Sequence, residues 1–179
     1  MSDKSQINAK ELGEFLLEAK RNTYASGKKA ERIGNLAKKF TSADNNYVYT
    51  DIYFEDDPNP FIGQEIIYKK APGLPLHAYS IPIWGMNYYG KMTEEGRKYK
   101  FQKGLWNFLK EALKANENIK RPFRGPMSDL SSKFDLAYTN KSKGNILDFK
   151  GKETIHVFCE ALDETGSLLY QLEYQGGII

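Results

Sequence analysis

The sequence has one cysteine, Cys159, and two histidines, His77 and His156, among its 179 residues. A lone thiol excludes an intramolecular disulfide framework and a thiolate-rich metal centre. Cys159 reads better as a small buried hydrophobe than as a nucleophile. His77 falls in a proline-containing stretch and His156 in a strand-like one, and neither has a partner at metal-ligand spacing. There is no Gly-x-Ser-x-Gly elbow, glycine-rich phosphate loop or dinucleotide fingerprint. No catalytic residue, metal or cofactor is therefore assigned. No apolar run approaches the ~18 residues that cross a bilayer, and Met1–Gln6 lacks the apolar core of a signal peptide. The expected compartment is the cytoplasm, away from the membrane. An excess of charge is lacking as well: 26 basic and 23 acidic side chains leave +3. The lysines (Lys28, Lys29, Lys38, Lys39, Lys69, Lys70, Lys141, Lys143) read as scattered, which argues against a direct nucleic-acid partner.

What is present is a chain of one-domain length, able to bury roughly 70% of its unfolded surface without a staple. Twelve tyrosines and ten phenylalanines suit pleated, half-buried strands. Residues 1–8 are polar and expected to form a disordered tail. From Asn8, a plausible N-cap, Leu12, Phe15, Leu16 and Ala19 form one helical stripe. Residues 28–39 read as a short helix or a loop. Strands are expected at Tyr47–Phe54, Phe61–Tyr68 and Ile81–Tyr89, with residues 69–80 as a connection. A helix capped by Thr93 follows, carrying Phe101, Leu105, Phe108, Leu109, Ala112 and Leu113 and running to Asn116. Three further strands are expected at Phe134–Thr139, Ile146–Phe158 and Leu168–Tyr174, the last two separated by a turn at Asp163–Gly166.

The two halves of the chain resemble each other. Phe61-Ile-Gly-Gln-Glu65 matches Phe149-Lys-Gly-Lys-Glu153, and Trp84-Gly-Met-Asn87-Tyr88-Tyr-Gly90 matches Tyr170-Gln-Leu-Glu173-Tyr174-Gln-Gly176. Tyr49-Thr50-Asp51 matches Tyr138-Thr139-Asn140, and Glu14–Ala19 resembles Asn107–Ala112. Four matches in one order imply an internally duplicated α+β fold. Each copy is a helix plus a three-stranded antiparallel meander, and the copies are related by pseudo-twofold symmetry. Residues 9–179 form one domain of two repeats, about 9–92 and 93–179, with the helices on one face.

Strand alternation puts Phe61, Gly63, Glu65 and Ile67 on one side, so a carboxylate shares the phenylalanine's face in each repeat. One reading is structural, with Gly63 and Gly151 at bulges and Glu65 and Glu153 accepting nearby hydrogen bonds. The other is a pair of carboxylates facing a cleft, suited to acid–base work or to holding a cationic ligand. Trp84 and Met86 fall on one face of their strand, Asn87 and Tyr89 on the other. That segment reads as an aromatic pocket or as a central strand packed on both faces. Base stacking on tyrosines is the weaker option given the charge.

These same blocks, with Tyr24-Ala-Ser-Gly27, Pro82-Ile83 and the terminal Gly176-Gly177, resemble the bacterial domain-of-unknown-function family 5680 over nearly all of the chain past residue 10. The resemblance implies a prokaryotic cytosolic protein, in some relatives following an XRE-type helix-turn-helix, and thus a sensor or interaction module. There is no room for such a module ahead of the first helix here. The expected function is a non-catalytic, sensor-type binding module whose cleft between the repeats takes a small molecule or a protein segment. Glu65, Trp84, Asn87, Tyr89, Glu153 and Glu173 are the candidate ligand-binding residues. The alternatives are a small enzyme using the paired glutamates as acid and base, and an interaction or homodimer module using an exposed sheet edge.

Overall fold

A computed structural model describes residues 7–55, 60–70, 81–131, 135–159 and 164–179. The fold is α+β and antiparallel throughout. Helix α1 (Ala9–Arg21) is capped by Asn8, whose side chain accepts from the Lys10 and Glu11 amides at 3.1 and 3.3 Å. A 3-10 turn, Tyr24–Ser26, follows it. Strands β1 (Glu31–Ile33), β2 (Ala37–Ala43), β3 (Tyr47–Glu55), β4 (Phe61–Lys69) and β5 (Ile81–Met92) come next. Helices α2 (Glu94–Lys98) and α3 (Gln102–Ala115) precede β6 (Ser128–Ser131), β7 (Leu136–Asn145), β8 (Asp148–Cys159) and β9 (Glu164–Ile178). All nine strands share one sheet, in the order β1-β2-β3-β4-β5-β9-β8-β7-β6. The sheet is thus two uninterrupted meanders joined by their last strands. Trp84 to Met92 of β5 pairs with Ile178 to Tyr170 of β9.

Several expectations need correction. Residues 28–39 are largely extended, because β2 lays Ala37 and Phe40 into the core and pairs along β3. Their charged residues mark a sheet edge, where lysines are common. The single helix from Thr93 is two helices, interrupted at Tyr99–Phe101. Thr93 does cap the first, accepting from the Gly96 amide at 3.0 Å. Six expected strands are nine among the described residues, with β7 and β9 longer than their apolar runs. Glu164–Gly166 lie within β9, not in a turn. Asp163, His77 and residues 1–6 lie outside the described residues.

The glycines of the Phe-x-Gly-x-Glu pattern are not at bulges. The ladder runs unbroken through both, with its irregularities at Ile67/Tyr68 and Ile155–Phe158. Each glycine instead lies beneath a tyrosine from the neighbouring strand. A Cβ on Gly63 would sit 2.2 Å from the Tyr88 ring, and one on Gly151 would sit 2.3 Å from Tyr174.

Register assigns the two faces. Tyr49, Asp51, Glu65, Ile67, Trp84, Met86 and Tyr88 share the inner face with Tyr174, Leu172, Tyr170, Glu153 and Tyr138. Against it α1 packs Leu12, Phe15, Leu16 and Ala19, and α3 packs Leu105, Phe108, Leu109 and Ala112. Trp84 is wholly buried, stacks on Phe149 at 5.6 Å and donates from Nε1 to the Ile146 carbonyl at 3.0 Å. It fastens β5 to the second meander.

Candidate ligand-binding site

Alternation along β3 runs Tyr47, Tyr49, Asp51, Tyr53 toward the helices, so a carboxylate enters an otherwise aromatic row. Asp51 is 6% exposed and pairs in register with Glu65, which is 2% exposed. On α1, Lys20 lies eight residues after Leu12 on the core stripe and reaches the same carboxylate. Its Nζ donates to Glu65 Oε1 at 2.8 Å and to the Phe123 carbonyl at 2.5 Å. Glu65 Oε2 lies 2.6 Å from the ammonium, yet it takes no aligned hydrogen bond. The contact there is ionic, and the Tyr49 hydroxyl also hydrogen-bonds the Glu65 carboxylate.

Arg124 arrives from the segment after α3. Asn116 holds that segment by donating from Nδ2 to the Arg121 and Arg124 carbonyls at 3.1 and 2.6 Å. Phe123 is buried face to face on Phe149 at 3.8 Å, which directs the next side chain along the sheet. Arg124 then donates from Nε and Nη2 to the two oxygens of Glu153 at 3.1 and 2.7 Å. Tyr138 and Tyr170 add hydroxyl bonds to Glu153 at 2.7 and 2.8 Å. Four donors fill about the four acceptor positions a carboxylate has, and the group is fully buried. Glu153 is thereby committed to holding Arg124. Arg124 Nη1 also lies 3.9 Å from Glu65 Oε1, so one guanidinium stands between the two glutamates. An acid–base pair of these two carboxylates finds no support in this arrangement.

Tyr88 crosses Gly63 and donates to Asp51 Oδ1 at 2.7 Å; Tyr174 crosses Gly151 and donates to Asn140 Oδ1 at 2.7 Å. Burial, followed by the neighbouring charge of Glu65, raises the Asp51 carboxyl to about 7, opposed by the Tyr88 hydroxyl, Lys20 and Arg124. Burial lowers the Lys20 ammonium from its ordinary range, although the Glu65 charge opposes that. Burial and the same carboxylates hold the Tyr49 and Tyr88 hydroxyls well above 10, so both remain donors.

These groups border a cavity of about 380 Å3 between the sheet and the helical layer. Its walls are mainly apolar, with Tyr24, Tyr53, Phe61, Trp106 and Tyr170 contributing rings and Leu113 and Leu109 closing the helical side. Phe61 stacks on Tyr170, and Trp106 meets Tyr170 edge-on at 5.7 Å. Asp51, Glu65, Lys20 and Arg124 are the charged groups set deepest among them, with Lys110 further out over the Tyr24 ring.

The six residues nominated from sequence divide between the two faces. Glu65, Trp84 and Glu153 are inner; only Glu65 lines the cavity, since Trp84 is core and Glu153 is behind Arg124. Asn87, Tyr89 and Glu173 lie on the outer face, where Tyr89 is 46% exposed. There Gln64 donates to Asn87 Oδ1 at 2.9 Å, and Lys152 meets Glu173 at 3.4 Å. A second, more open concavity of about 840 Å3 takes in these three residues. It also includes Lys141, Lys143, Lys150 and Lys152, which β7–β8 pairing sets opposite one another as Lys141–Lys152 and Lys143–Lys150. The lysines of this hairpin are therefore gathered, not scattered.

Sequence reasoning missed Lys20, Arg124 and Asp51 as site residues. Two had a signal: a lysine on an apolar helical stripe, and an aspartate in an inward aromatic row. Arg124 lies in an irregular segment with no period to read. The Cys159 side chain lies outside the described residues. Among the described residues no group of three or more His, Cys, Asp or Glu side chains is placed to hold a metal, and no helix is long and apolar enough to cross a membrane.

One protein family, described as Domain of unknown function (DUF5680), matches residues 51–179. Comparison with curated proteins and with solved structures gave no match.

Proposed function

The chain belongs to the DUF5680 family, and from that premise we propose that it is a non-catalytic module binding a small molecule in the cavity between its sheet and its helices. The observation that carries this reading is the set of buried charged groups gathered at one aromatic-walled space. Core packing alone does not call for Lys20, Asp51 and Glu65 to converge there, since replacing a buried ion pair by apolar residues is often neutral or stabilising. The volume lies within the range of small-molecule sites.

The module is, in this reading, one domain of two diverged repeats, about residues 9–92 and 93–179. Equivalent positions support it: Asp51 with Asn140, Gly63 with Gly151, Glu65 with Glu153 and Tyr88 with Tyr174. The tyrosine-over-glycine crossing and its hydrogen bond to the preceding strand recur in both meanders. The cavity then takes Tyr49, Asp51, Glu65 and Tyr88 from one repeat and Trp106, Arg124 and Tyr170 from the other.

The test is a thermal-shift screen against a broad library of metabolites and ions, using the wild type, Leu113→Trp and Asn87→Ala. Leu113 is half-buried on the cavity wall, so tryptophan there fills the space. A ligand at a hundredfold excess over its Kd stabilises by about 2.7 kcal/mol. Hits retained by Asn87→Ala and abolished by Leu113→Trp support the cavity. Hits lost only with Asn87→Ala transfer the site to the outer face and refute the proposal.

A further inference from the structure

We propose that the ligand is an amine, held with its cationic head beside Asp51 and its apolar body against Tyr24, Tyr53, Phe61 and Trp106. This rests on the ligand-binding reading above and specifies its chemistry.

The first argument is a count of charge. The buried network holds three carboxylates, Asp51, Glu65 and Glu153, and two cations, Lys20 and Arg124. Lys20 is engaged by Glu65 and Arg124 by Glu153, which leaves Asp51 as the carboxylate in surplus. Lys110 does not balance it. Its ammonium is over the outer ring of Tyr24 at 5.5 Å, half-buried toward the rim, where water and salt screen it. An added cation completes the network, whereas an added carboxylate makes a second unmatched negative charge in a poorly solvated space.

The second argument is an internal comparison. Asn140 pairs in register with Glu153 as Asp51 does with Glu65, and accepts from Tyr174 at the distance at which Asp51 accepts from Tyr88. A neutral amide therefore suffices for the hydrogen bond that locks the tyrosine over its glycine. The negative charge at position 51 is extra to that structural job, and it borders the cavity while Asn140 does not.

The third argument is the lining. Aromatic faces attract cations through their quadrupoles, more strongly where water is excluded.

With no cation beside it, burial and Glu65 favour a proton on Asp51 up to a pH of about 7. A ligand cation replaces that proton. Binding therefore tightens as pH rises through about 7, and below it binding releases a proton. The groups facing Asp51 are Lys20 from α1, Tyr24 from the 3-10 turn, Tyr49 and Tyr53 from β3, and Glu65 from β4. Tyr88 from β5, Lys110 from α3, Arg124 from the segment after α3, and Tyr170 from β9 complete the surroundings. The tyrosines are all raised above 10 and none changes charge near neutrality.

The test uses three probes with one body and different heads: 2-phenylethylammonium, 2-phenylethanol and 3-phenylpropanoate, measured by titration calorimetry against the whole chain. The ammonium is expected to bind at least tenfold more tightly than either analogue at pH 8. Its affinity should fall about tenfold at pH 6, where a carboxyl titrating near 7 is about nine-tenths protonated. Asp51→Asn should abolish both the preference and the pH dependence. Tyr88→Phe removes the hydroxyl donor and should move the pH midpoint upward, which serves if the first variant misfolds. Equal or tighter binding of the alcohol or the carboxylate overturns the amine assignment and leaves the cavity reading intact. No binding by any probe also overturns it, and the wider screen then decides separately whether the cavity binds a ligand at all.

Discussion

Replacing Asp51 by Asn should make the protein's stability less dependent on pH, in a direction set by the buried carboxyl. Asp51 has an ordinary value of 3.8 and a folded value of about 7. Below 3.8 the proton is bound in both folded and unfolded chains, and the group contributes no difference. Between 3.8 and about 7 the folded chain holds a proton that the unfolded chain has lost, so stability falls as pH rises. Above about 7 the full cost of ionising the buried group has accrued. At about 1.4 kcal/mol for each pH unit, the whole interval amounts to roughly 4 kcal/mol, and the portion between pH 5 and pH 8 to about 3 kcal/mol. Asparagine mimics the neutral form and titrates nowhere. Its viability is already illustrated by Asn140, which accepts from Tyr174 in the same geometry. Urea unfolding of both proteins at half-unit intervals from pH 5 to 8 gives the difference curve, in which carboxylates common to both cancel. The variant should gain on the wild type by about 2–3 kcal/mol across this range. A flat difference curve would refute the reasoning, because it would mean that Asp51 is as well solvated folded as unfolded.

Three further outcomes follow from the same geometry. Arg124→Met strands a fully buried Glu153 and should cost about 3–5 kcal/mol, or a fall in Tm of about 6–20 °C, with much of it restored in Arg124→Met/Glu153→Met. A loss below about 1 kcal/mol in calorimetry would count against the pairing. Gly63→Ala puts a methyl 2.2 Å from the Tyr88 ring and should cost about 2–4 kcal/mol by displacing it from Asp51. Gly166→Ala, whose nearest neighbour is Val157 at 3.7 Å, should stay within about 0.5 kcal/mol by chemical denaturation.

The strands that read correctly from sequence were those with dense aromatic and β-branched residues, since tertiary packing and local preference agree there. The edge strand β1 and its short-paired neighbour β2 carry lysine and arginine because this end of the sheet is half-solvated, and the same charges imitate a helix or loop. The break at Tyr99–Phe101 is invisible to periodicity, as Phe101 continues the stripe numerically while the structure leaves it 67% exposed. Face assignments along β4 and β5 were legible because strand alternation admits only two answers. Which of the two faces holds the cavity was not legible. That depends on where the helices return, and on Arg124 reaching Glu153 from an irregular segment. Glu65 is legible because the Phe-x-Gly-x-Glu pattern recurs at Glu153; Asp51 is less so, because the similar triplet Tyr138-Thr139-Asn140 ends in an amide.

The joining of the two meanders through β5 and β9 also sets an order of events in time. Every other strand pairing is between consecutive strands, while this seam brings together residues 78 to 94 apart in sequence, from Met92–Tyr170 to Trp84–Ile178. Loop-closure entropy grows as the logarithm of loop length, so a closure this long costs about 2–3 kcal/mol more than one spanning a few residues. The hairpin arrays have only local contacts to make; the seam must wait for both. Refolding speed is therefore expected to be limited at β5 and β9, which stopped-flow refolding of variants in each strand would check. Substitutions there should slow the forward rate, while substitutions at the outer strands should act mainly on the unfolding rate.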